Sequence, residues 1–124
     1  MPGPGGPRGE LGVRAEDAVV DYLERAEFQI VARNLRLGRL ELDIIARRME
    51  LIVIVEVRTR GRGAWTSGLG SLSKAKRERI RRAGQRLWRE RYKRDPSVER
   101  LRFDAASVHF VDLQPVIDYV LAAF

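Results

Sequence analysis

A chain of 124 residues suits one domain with a modest core. It holds no cysteine and a single histidine, His109, which excludes a disulfide framework, a thiolate zinc site, a cysteine nucleophile and the usual histidine-rich metal centres. The formal charge is +7, and the excess is local: residues 74–94 carry eleven Lys/Arg against two Glu, which points to a polyanionic partner.

Residues 1–10 lack the apolar stretch of a signal peptide and read as a disordered tail ahead of one domain over 11–124. No apolar run approaches a membrane span, so no membrane association and a reduced, cytoplasmic compartment are expected. In residues 11–27, Leu11, Ala15, Ala18, Val19, Tyr22, Leu23 and Ala26 recur at helical spacing. A first strand over 28–34 is followed by a loop around Leu37 and Gly38. Residues 39–47 and 50–59 form a hairpin, and the five consecutive aliphatics 51–55 mark a strand buried on both faces. The segment 61–73 reads as a mobile loop with four glycines, and Ser73 is placed to cap a second helix. Trp65 in that loop can stack on a base or fold back onto the core.

The second helix spans 74–93, with Ile80, Ala83, Leu87, Trp88 and Tyr92 facing inward. Asp95-Pro96-Ser97 breaks the chain before a fourth strand over 100–112 and a short terminal helix over 115–124. The expected order is αβββαβα, a mixed four-stranded sheet between helices.

The central hairpin carries acidic groups in its most apolar strands. A carboxylate there loses hydration worth several kcal/mol unless a cation or hydrogen bonds replace it. With Arg48 and Met49 at the turn centre, Asp43 opposes Ile54 and Glu41 opposes Glu56. Side chains alternate at period two, so Glu41, Asp43 and Glu56 then share one face, with Arg58 just beyond. Three like charges so close repel, and a hard cation with oxygen ligands, Mg²⁺ or Mn²⁺, resolves the conflict at Asp43 and Glu56 with Glu41. An acidic residue, a gap of about a dozen residues and then Glu-x-basic on the next strand is a metal-dependent phosphodiesterase layout. The same residues also read as structural ion pairs at a sheet end, and the pattern alone leaves both readings open. On the basic helix, Lys74, Lys76, Arg77, Arg81 and Arg82, together with Arg60, are the candidates for phosphate contact.

With those residues in place, the chain resembles the YraN family of small bacterial proteins. The matching residues are Ala15-Glu16, Asn34, the run Arg39-Leu40-Glu41-Leu42-Asp43-Ile44-Ile45-Ala46, and Val55-Glu56-Val57-Arg58-Thr59-Arg60. A Ser-x-x-x-x-Lys segment over 71–76 and Arg102-Phe103-Asp104 complete the match. The resemblance implies a restriction-endonuclease-like fold, shared with Holliday-junction resolvases. Their site is similar to Glu16, Asp43 and Glu56, with a lysine where Arg58 stands, which makes these four the implied catalytic set. Only the resemblance brings in Glu16. It further implies a Mg²⁺-dependent endonuclease of DNA repair or recombination, with DNA favoured over RNA. The alternative is a catalytically silent nucleic-acid-binding module of the same fold. Nucleases of this fold often dimerise, so a homodimer is compatible, although the sequence marks no interface. Arginine binds phosphate but stays charged, and Lys76 is the other candidate source of an ammonium.

Overall fold

The structure, a computed structural model, describes residues 9–59 and 72–124. Helix α1 (Glu10–Arg25) leads into β1 (Gln29–Leu37), β2 (Leu40–Arg48) and β3 (Leu51–Thr59). Helix α2 (Lys74–Leu87) continues into a π-helical turn (Trp88–Tyr92), followed by β4 (Arg100–Val111) and β5 (Gln114–Val120). The strands form one five-stranded sheet in the order β1-β2-β3-β4-β5. Only β3 and β4 run parallel, across the connection that carries α2, so the sheet is mixed as expected. The tail expected over 1–10 lies outside the described residues apart from Gly9 and Glu10, and Glu10 already opens α1. The loop expected over 61–73 lies outside them too, apart from Leu72 and Ser73. No helix among the described residues is long and apolar enough to cross a membrane.

Two apolar layers sandwich the sheet. On one face Ala15, Val19 and Leu23 of α1 pack on Ile44, Ala46, Val53 and Val55. On the other, Ile80, Ala83 and Leu87 of α2 pack on Leu42, Ile45, Ile52 and Ile54. The alternating residues of β3 divide between these layers, which explains why 51–55 can all be apolar. Helix α2 begins at Ser73, whose hydroxyl accepts the Lys76 N–H at 3.1 Å.

Three expectations are corrected. Residues 115–124 do not form a helix: Asp112 and Leu113 both take positive φ (50° and 67°), and the chain reverses into β5. Such a two-residue turn matches the twist of a hairpin, and the β-branched and aromatic run after it suits an extended strand. Pro115, without an N–H, is tolerated because β5 is an edge strand. The sheet therefore has five strands, and the order ends in β rather than α. The second correction is the hairpin register. Arg48 pairs with Leu51 and Ile45 with Ile54, so the turn centres on Met49 and Glu50, two rungs from the expected pairing. Met49 adopts φ 55°, and its carbonyl accepts a bond from Arg47 Nε at 2.9 Å, which holds this turn. The loop expected around Leu37 and Gly38 is a tight turn with Gly38 at φ 66°, and β1 runs three residues further than expected, to Leu37.

Candidate functional site

Alternation breaks where the site begins. Leu42 packs in the α2 layer and Ile44, two residues on, packs in the α1 layer. In β1 the same occurs between Ala32 and Leu35, around Asn34 with φ 53°. The register pairs Arg33 with Ile44 and Leu35 with Leu42, so both strands kink on the rung shared by Asn34 and Asp43. Departures from regular pleating of this kind re-aim side chains, and they concentrate beside functional sites. Beyond the kink the β2–β3 ladder ends at Ile44 and Val55, and the Asp43 carboxylate accepts the Val57 N–H at 2.9 Å in place of backbone.

Asp43 thereby lies against Glu56. Burial, then the neighbouring Glu56 charge, pushes the Asp43 carboxyl up to about 8, against the opposing bond from Val57 and the charge of Lys76. Glu56 is 4 % exposed at the end of the buried β3 run, and its Oε1 lies 3.1 Å from Lys76 Nζ on the first turn of α2. Lys76, expected both as a phosphate contact and as the other source of an ammonium, is thus a partner of the acidic site.

Glu16 comes from α1, where it shares the buried stripe of Ala15, Val19 and Leu23 and is 3 % exposed. Its Oε1 accepts from Arg33 (Nε 3.0 Å, Nη2 2.9 Å) and from Asn34 Nδ2 at 3.1 Å, while Arg33 also reaches Asp17 at 2.7 Å. The positive φ of Asn34 therefore has a consequence at the site: the residue at the kink is the one that holds Glu16.

A cavity of about 570 Å³ joins these groups. Glu16, Glu41, Asp43 and Glu56 line it on the acidic side, and Arg39, Arg58, Lys76 and Arg79 on the basic side. All four residues of the implied catalytic set are brought together there. Arg58 is half-buried and makes no ion pair among the described residues. Glu41 lines the same cavity but lies 4.0 Å from Arg36, and among the described residues no three acidic or histidine groups are grouped closely enough to hold an ion. Asp43 and Glu56 are the pair buried against each other, with Glu41 on the same cavity wall. That pair fits a hard cation: its donors are carboxylate oxygens, no sulfur or imidazole among the described residues lines the cavity, and Mg²⁺ commonly binds through one or two carboxylates and keeps its waters.

Of the expected phosphate contacts, Lys74, Arg81 and Arg82 are exposed on α2 and Arg77 is half-buried. Arg81 lies 3.3 Å from Glu78. Arg60, like Trp65, lies outside the described residues. Spacing and periodicity do not single out Arg33, Arg39 or Arg79, and they give Asn34 no role.

The match to known proteins covers this whole site. The model of the uncharacterised protein family UPF0102 matches residues 15–108. The chain belongs to that family, the one its motifs resemble. A UPF0102 protein of Sorangium cellulosum is 52% identical over 118 residues, covering 94% of this chain and 82% of the relative. UPF0102 proteins of Nocardia farcinica and Geobacter metallireducens are 36% and 33% identical, covering 96% and 92% of this chain and 92% and 91% of their own lengths. The UPF0102 span begins at Ala15, beside Glu16, and runs past Asp104. Asp104, the acid of the Arg-Phe-Asp motif, is fully buried away from the cavity. It accepts bonds from Arg102 (2.9 and 3.0 Å), the Tyr119 hydroxyl (2.6 Å) and the Ala122 N–H (2.9 Å).

Proposed function

We propose that this UPF0102 protein is a divalent-metal-dependent phosphodiesterase acting on nucleic acid, built on a restriction-endonuclease-like sheet and working on DNA in repair or recombination in the cytoplasm. One observation carries the reading. Two carboxylates, Asp43 and Glu56, are buried against each other in a cavity that also holds Arg58, a cation with no ion pair among the described residues. A fold does not keep such a pair for stability, because burial and then mutual repulsion cost free energy that a bound ion recovers.

Asp43 and Glu56 would hold a divalent cation, which would supply a water of lowered pKa and neutralise charge on the scissile phosphate. The chain's own groups do the rest. Arg58 and Arg79 bind phosphate oxygens at the cavity wall, where a guanidinium offers paired donors. Glu16, fixed by Arg33 and Asn34, accepts a hydrogen bond from the attacking water. Lys76 supplies an ammonium at the site despite arginine at position 58, and leaves Glu56 when the phosphate arrives.

A second reading, a nucleic-acid-binding module without hydrolysis, draws on the Lys76–Glu56 contact at 3.1 Å: that ammonium offsets part of the buried charge with no ion bound. Purified protein incubated with branched, duplex and single-stranded DNA and RNA, with Mg²⁺, Mn²⁺ or chelator, separates the two. Metal-dependent cleavage lost in Glu56→Gln supports the hydrolase. Binding without cleavage supports the module. Neither binding nor cleavage overturns both.

A further inference from the structure

A second concave feature lies at the other end of α2, about 18 Å of helix axis from Lys76. Between the C-terminal part of α2 and the start of β4 runs an apolar groove of about 420 Å³, walled by Trp88, Leu101 and Phe103 and rimmed by Arg89, Arg100 and one acid, Glu99. Gly84 makes it. A side chain at that position would strike the Phe103 ring, so its absence lets the ring lie against the helix, where Phe124 supports it at 5.4 Å. Trp88 and Phe103 are only half-buried.

Arg89 also belongs to a neighbouring concavity of about 480 Å³, lined with Arg91, Lys93 and Arg94. Of its two acidic neighbours, Glu90 is paired with Arg86 at 2.7 Å, whereas Asp95 accepts the Ser97 N–H and hydroxyl and keeps its charge, so the four cations leave the concavity net positive. The π-helical turn Trp88–Tyr92 is where the aromatic wall gives way to the basic one. Single π-turns of this kind are frequent at functional sites.

We infer that groove and basic concavity together form a single-strand nucleotide subsite. An unpaired base stacks on Trp88 and Phe103, and the adjoining phosphates meet Arg89, Arg91, Lys93 and Arg94. The inference rests on the nucleic-acid reading above and adds a substrate class to it: strands with unpaired bases near the cleavage cavity. Charge decides the occupant. An apolar peptide or a second copy of this basic chain gains nothing from four adjoining cations, whereas a polynucleotide matches both surfaces. In a duplex the base faces are stacked against each other, so only an unpaired base can offer one to the groove.

The chain has two tryptophans, so Trp65→Phe leaves Trp88 as the sole reporter. In that background oligothymidylate should quench Trp88 emission saturably. The double substitution Arg89→Glu and Arg100→Glu, both at exposed positions, should weaken oligothymidylate binding by about tenfold or more. Affinity for a blunt duplex should change less. Oligothymidylate that binds by anisotropy without quenching, and with equal affinity to the double variant, overturns the subsite while the nucleic-acid reading stands. Absence of any nucleic-acid binding overturns both. A sedimenting dimer that Leu101→Glu dissociates, with no quenching, assigns the groove to contact between copies and likewise overturns the inference.

Discussion

Asp43 concentrates the physical conflict in this molecule. Its carboxyl is pushed up to about 8, chiefly by burial and then by Glu56, whereas in the unfolded chain it ionises near pH 4, roughly the ordinary value. Between those limits the folded state keeps a proton that the unfolded state has released. Stability is therefore greatest below the window and falls as pH rises through it. Thermal unfolding in chelator should show Tm declining from about pH 5 to about pH 8, with Asp43→Asn flattening the decline. At the upper end the variant should be more stable, by on the order of a few kcal/mol. A variant less stable than wild type there would mean that Asp43 is a net stabiliser through Val57. Arg58 gives a complementary test. A fixed guanidinium holds phosphate but does not act as a general base near neutral pH. With Lys76 as the one ammonium at the cavity among the described residues, wild-type cleavage should be slow, and Arg58→Lys, which adds a second, should raise metal-dependent nicking with affinity unchanged within a few-fold. If Arg58 were instead an anchor for the fold, the substitution would lower Tm and create no activity.

At the scale of elements, β5 depends on Asp104. That carboxylate sits fully buried in β4 and gathers Arg102, the Tyr119 hydroxyl and the Ala122 N–H, tying the last strand and its exit to the sheet. Burial and the bond to Asp104 push the Tyr119 hydroxyl well above its ordinary range, so it remains a donor. Asp104→Ala should cost about 3 kcal/mol or more, because it strands a half-buried guanidinium and two further donors. Tyr119→Phe should cost about 1 kcal/mol. Paired denaturant melts check both, and equal small losses would show that the cluster is not what holds β5.

The same element explains where sequence reading stops. The periodicity of α1 and α2 and the apolar run of β3 were legible because burial imposes them residue by residue. Residues 114–120 were not, since a short apolar run with one proline suits either state, and the deciding Asp112–Leu113 turn carries none of the usual glycine or asparagine signals. The hairpin slipped by two rungs for a like reason: neither Arg48-Met49 nor Met49-Glu50 is a recognisable turn pair. A slip of two keeps parity, so Asp43 and Glu56 still met. Glu16 had a signal, a carboxylate three residues before Val19 in the buried stripe, which spacing alone did not separate from an exposed acid. The Asn34–Asp43 kink had none, because it depends on two strands breaking alternation together.

For the whole molecule, the basic α2 and the acidic cavity are two faces of one arrangement. The helix starts at the site with Lys76 and Arg79 and carries its exposed cations away from it. Duplex affinity should fall steeply with salt, with a log–log slope near −0.9 per phosphate contact, and Arg81→Ala or Arg82→Ala should flatten it by about one while weakening all sequences alike. Binding that ignores salt would move the interface off α2. That Asp43 and Glu56 form a cation site is tested most directly by calorimetric titration of Mn²⁺ into wild type and Glu56→Gln near pH 8. One weak site is expected in the wild type and none in the variant. No heat in either, or the same isotherm in both, would contradict the cation site.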